Sequence, residues 1–62
     1  MSLVGQTLRV ISECEPLEIG EMVYCMEDCP TRKIIRVWTR RLVFGVNEVV
    51  FSYERRGGFK IT

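Results

Sequence analysis

The residues of this 62-residue chain with chemical potential are three cysteines, Cys14, Cys25 and Cys29, and a set of arginines around a single tryptophan, Trp38. A cysteine nucleophile needs a neighbouring base. The chain has no histidine, the usual base near neutral pH and the commonest metal ligand. Cys25 and Cys29 stand in a CxxxC spacing, and Cys14 is the one further thiol. A closed tetrahedral zinc site would therefore need Asp28 or a glutamate to complete it. The alternative is three small, buried or half-buried thiols, the usual state of free cysteine. Arg55-Arg56-Gly57-Gly58 has the ingredients of a phosphate cradle, but it reads better as a tight connection whose glycines take positive φ. No GxxxxGK[ST] pattern is present. The eight carboxylates fall near expected strand ends and turns, where solvation explains them. Too many parts of an active site are missing, so the expectation is a non-enzymatic protein without metal or cofactor.

Binding chemistry is better represented. Arg32, Lys33, Arg36, Arg40 and Arg41 lie within ten residues, with Trp38 among them. Residues 1–31 carry six acids against Arg9, and residues 32–62 carry eight bases against Glu48 and Glu54, so the halves sum to −5 and +6. Such asymmetry marks a basic face, or acidic strands lying beside basic ones. The candidate surface comprises Trp38, Arg36, Arg40, Arg41, Ile34 and Val23, with Arg55 and Arg56 joining from the C-terminal part. An apolar centre on Trp38 rimmed by arginines has the composition of a protein-interface hot spot. The partner is another copy of the chain or a larger cellular protein whose activity changes on docking, as a phage-encoded modulator would work. The second reading is single-stranded nucleic acid or RNA on the same face, with cations on phosphates and aromatic rings on bases. Against both stands a core role for Trp38, with the arginines paired to Glu21, Glu27 and Asp28.

Strands must position these residues, because β-branched and aromatic residues cluster and alanine is absent. The pattern predicts strands over Thr7–Ser12, Glu21–Asp28, Lys33–Thr39, Leu42–Phe44, Glu48–Glu54 and Phe59–Thr62, and a helical turn within 13–19. A four-residue turn over 29–32 would pair Asp28 with Lys33, Tyr24 with Val37, Val23 with Trp38 and Glu21 with Arg40. That register sends Met22, Tyr24, Met26, Ile35 and Val37 to the core. It puts Val23, Cys25, Ile34, Arg36 and Trp38 on the other face; a one-residue slip inverts the assignment. The expected fold is one all-β domain over 1–62, a strongly curled antiparallel sheet or barrel of about five strands, since a short last strand needs neighbours and closure removes exposed edges.

Thr7-Leu8-Arg9-Val10-Ile11, then Leu17-Glu18-Ile19-Gly20-Glu21-Met22-Val23-Tyr24, and the ending Gly57-Gly58-Phe59-Lys60-Ile61 together resemble the small SH3-like barrels of short bacterial and bacteriophage proteins. The resemblance implies the barrel and a binding role, without naming the ligand. No run approaches the ~20 apolar residues of a membrane-spanning helix. The start lacks the charged and apolar regions of a secretory signal, and an odd cysteine count suits a reducing compartment; the expectation is a cytoplasmic protein without membrane contact.

Overall fold

The structure is a computed structural model and describes residues 2–62. The chain is all-β. Its strands are β1 (Thr7–Val10), β2 (Met22–Cys29), β3 (Ile34–Val43), β4 (Val46–Ser52) and β5 (Phe59–Ile61), with a 3-10 turn over Tyr53–Gly58 leading into β5. They form one antiparallel sheet in the order β4-β3-β2-β1-β5, and no ladder joins the two edge strands.

Alternation along the strands decides the two faces. Leu8 and Val10 of β1, Val23 and Cys25 of β2, Ile35 and Val37 of β3, Phe51 of β4 and Phe59 of β5 are buried together. Leu3 from the N-terminal segment and Cys14 and Leu17 from the 11–21 connection complete this core. The 11–21 connection is not helical. It is a tight excursion in which the Leu17 amide donates to the Cys14 carbonyl at 2.9 Å, and Cys14 and Leu17 turn inward as its apolar anchors.

Register is where the structure departs from the sequence reading. Cys29 pairs with Ile34, Asp28 with Ile35 and Glu27 with Arg36; beyond a bulge at Met26, Cys25 pairs with Val37 and Tyr24 with Trp38. The turn is thus displaced, and Val23 and Cys25 face the core while Met22 and Tyr24 face outward. Lys33, expected opposite Asp28, instead closes the turn at φ 57°. A bulge adds one residue to one strand and reverses its facing, which a regular pairing scheme cannot anticipate. A second irregularity interrupts β3 between Trp38 and Val43, so the separately expected Leu42–Phe44 strand is part of a longer β3 and the hairpin tip. There Asn47 donates from Nδ2 to the carbonyls of Thr39 at 3.0 Å and Arg40 at 3.2 Å, satisfying acceptors that the ladder leaves over.

The 53–58 connection is also resolved differently. Neither Gly57 nor Gly58 has positive φ. Gly58 is needed for close approach: a Cβ there would stand 2.8 Å from Ser12 Oγ, beside the 2.8 Å bond from the Ile11 amide to the Gly58 carbonyl.

Candidate functional site

The outer face of the sheet is assembled from the residues that alternate with the core. Trp38 lies directly opposite Tyr24 in the β2–β3 ladder, and they are 41% and 46% exposed. Trp38 thus belongs to the surface, and a barrel-wall role for it is excluded. Met22 and Val50 are exposed on the same face. Val50 sits opposite Arg36, and Glu48 opposite Trp38.

Arg36 lies between two carboxylates. Its Nη2 is 3.6 Å from Glu27 Oε1 on β2, and its Nε is 3.6 Å from Glu48 Oε1 on β4. Nε is shielded from solvent and makes no hydrogen bond among the described residues. The charge beside Trp38 is therefore balanced rather than strongly positive. Glu27 also binds Arg32 at 3.0 Å. Farther along the face, Arg9 on β1 is directly opposite Lys60 on β5, and Arg40 extends outward from β3. Arg9, Arg40 and Lys60 enter no ion pair among the described residues. Two like charges facing each other across a ladder weaken it, so the Arg9–Lys60 pair is not explained by sheet stability.

The remaining proposed site residues lie elsewhere. Val23, expected beside Trp38, is buried on the opposite face. Ile34 is half-buried on the outer side, as expected. Arg41 turns to Glu21, with Nη2 3.0 Å from Oε1 and Nε 3.2 Å from Oε2, and also donates to the Pro16 carbonyl at 2.8 Å. The acid's expected partner had been Arg40. Burial pushes the Glu21 carboxyl up, but bonds from Thr39 Oγ1, the Glu18 amide and Arg41 outweigh it and hold the group below its ordinary range.

Arg55 and Arg56 were expected on the Trp38 surface and are not there. The 53–58 turn links opposite edges and so passes on the core side. Arg56 Nε lies 3.2 Å from both Asp28 carboxylate oxygens, and its guanidinium stands 5.6 Å from the Tyr53 ring centroid. The Asp28 side chain is only 1% exposed and also accepts from the Leu3 amide at 2.7 Å. Burial raises its pKa, but the Arg56 hydrogen bond, the Leu3 amide and the Arg56 charge together bring it down. Arg55 exerts its field on the Cys14 thiol, again on the core side.

Two of the three thiols, Cys14 and Cys25, are buried, and Cys29 is half-buried. Burial pushes Cys14 and Cys25 up from the ordinary thiol value, which keeps them protonated at neutral pH. The bulge at Met26 sends Cys25 inward while Cys29 pairs with outward Ile34, so the two do not converge. Among the described residues no three cysteines or carboxylates gather as metal ligands. Among the described residues no helix is long and apolar enough to cross a membrane.

Sequence reasoning missed Tyr24, Met22, Val50, Arg9 and Lys60 as members of the outer face. The alternation of Met22 and Tyr24 with Val23 and Cys25 was visible, but either set could have been the apolar one. Comparison of the chain with protein-family models, with curated proteins and with solved structures gives no match.

Proposed function

We propose that this chain is a non-enzymatic interaction module that docks a protein partner through the outer face of its sheet. The observation that carries the reading is the exposed cross-strand pair Tyr24–Trp38, flanked by Met22 and Val50. Large aromatic side chains held on a rigid sheet contribute contact area at little entropic cost, which is why they dominate interface energetics. Arg36, fixed between Glu27 and Glu48, adds directional polar contacts without a strong net field. That balance favours a protein surface, self or a larger cellular protein, over a polyphosphate at the centre of the face. A modulator of the kind small phages encode would act through such a face, and a cytoplasmic setting suits three free thiols.

The fold reading that accompanies this proposal is a curled, SH3-like sheet. Its support is the strand order, the 3-10 turn before the last strand, and the approach of Phe51 and Phe59 to 5.7 Å between ring centroids. These phenylalanines sit on opposite edges, which a flat sheet of five strands would hold roughly 19 Å apart.

A second reading, single-stranded nucleic acid, rests on Arg9, Lys60 and Arg40, which lie on the same face as the two aromatics and enter no ion pair among the described residues. One experiment separates the two. Trp38 is the single tryptophan, so its emission reports directly on the face. Titration with oligothymidylate at low salt should leave the emission unchanged if the partner is protein. Quenching that fades steeply as salt rises would replace the protein reading with the nucleic-acid one. Capture from native cells with tagged protein should likewise survive nuclease and fail for Trp38→Ser.

A further inference from the structure

The β3–β4 hairpin carries a feature that neither the core nor the outer face uses. Its turn residues, Phe44 at φ 51° and Gly45 at φ 82°, both have positive φ, the signature of a type I′ turn. Asparagine or glycine suits the first of these positions, and a bulky side chain there is an outlier. Phe44 is nonetheless 93% exposed. Leu42 and Val46 on either side are exposed as well. Across from the tip, Pro16, Leu17 and Ile19 floor an open groove of about 730 Å³ that Phe44 walls. Glu13, Glu15 and Glu18 rim it, and none of the three enters an ion pair among the described residues.

An apolar groove with an acidic rim fits an apolar surface with a basic rim. The chain itself presents one: the outer face, with Trp38, Tyr24 and Met22 on the same side as Arg9, Arg40 and Lys60, which enter no ion pair among the described residues. We propose that the groove at the hairpin tip of one copy receives the outer face of a second copy. This rests on the outer face being a protein-docking surface and names its partner. A groove-to-groove contact is disfavoured because it would bring two acidic rims together, and a face-to-face contact would do the same with cations. Face to groove sets Arg9, Arg40 and Lys60 of one copy against Glu13, Glu15 and Glu18 of the other. The two surfaces adjoin, since Ile19 and Glu18 also line the depression next to Met22 and Arg40.

Sedimentation of the pure chain tests this. The wild type should associate with rising concentration, and high salt should weaken the association by screening. Trp38→Ser and Phe44→Asn should each weaken it by about tenfold or more, as loss of an interface anchor does. Asparagine suits the Phe44 backbone, so that variant should melt no lower than wild type, which separates lost contact from lost folding. Mixing the two variants should restore association, because the intact groove of Trp38→Ser meets the intact face of Phe44→Asn. A wild type that stays monomeric at every concentration, or a mixture that associates no better than each variant alone, overturns the proposal. Capture of a different protein that still depends on Trp38 would then leave the docking reading of the outer face standing without self-association.

Discussion

Asp28 and Arg56, 28 residues apart in the chain, form an ion pair in which the carboxylate is almost completely buried and the guanidinium is still partly open to solvent. The pair joins β2 to the 3-10 turn, and the Leu3 amide adds the N-terminal segment to the same carboxylate. Asparagine in its place keeps an oxygen for the Leu3 amide but leaves the Arg56 guanidinium without its countercharge. Asp28→Asn is expected to cost ~2 kcal/mol, below the usual cost of a broken buried pair because Arg56 can reach water. In a domain of this size that lowers Tm by roughly 10 °C.

The same pair sets a pH dependence. The folded pKa of Asp28 lies below its ordinary 3.8, so the stabilisation is present at neutral pH and is lost as pH falls through the folded value. Glu21, also held low, acts in the same direction. Urea unfolding should show wild-type stability dropping below about pH 4, and Asp28→Asn should lose less over that interval.

Val23 and Trp38, expected side by side from the sequence, are predicted to respond oppositely. Val23→Ala removes buried methyl groups from the core and should cost about 2 kcal/mol. Trp38→Ser removes only one half of an exposed cross-strand pair and should cost under about 1 kcal/mol. Thermal melts of the two variants check this; partner capture should be lost in the second alone.

Asn47 should matter more than its partly exposed position suggests. Asn47→Ala deprives the Thr39 and Arg40 carbonyls of their donor and is expected to destabilise by ~1–2 kcal/mol. Amide hydrogen exchange around residues 39–47 should accelerate more than exchange in β1 and β2.

Gly58→Ala should cost about 1 kcal/mol, since its Cβ meets Ser12 Oγ, and Ser12→Ala should recover most of the loss. Additive losses in the double variant would show that the contact is not the cause.

Thiol reactivity offers a further check without mutation. Cys29 is half-buried, while Cys14 and Cys25 are buried with raised pKa. A disulfide reagent should modify Cys29 in the native protein, and the other two only on unfolding.

The sequence by itself determined the all-β character, the approximate place of each strand and the absence of a histidine-based site. Those follow from residue types: no alanine, clustered β-branched and aromatic residues, and connections at Pro30 and Gly57-Gly58. It also singled out Trp38 and Arg36, which the structure does place on one face. The partner of each arginine, and the side each residue faces, needed the tertiary structure. Val23, Cys25, Met22 and Tyr24 are all apolar enough for a core, so alternation alone leaves their facing undecided. The bulge at Met26 settles it by one inserted residue, a backbone irregularity with no composition signal of its own. Arg55 and Arg56 go to the core side for a different reason. Their segment must connect the two edges of the sheet, a constraint that exists only once the strand order β4-β3-β2-β1-β5 is in place.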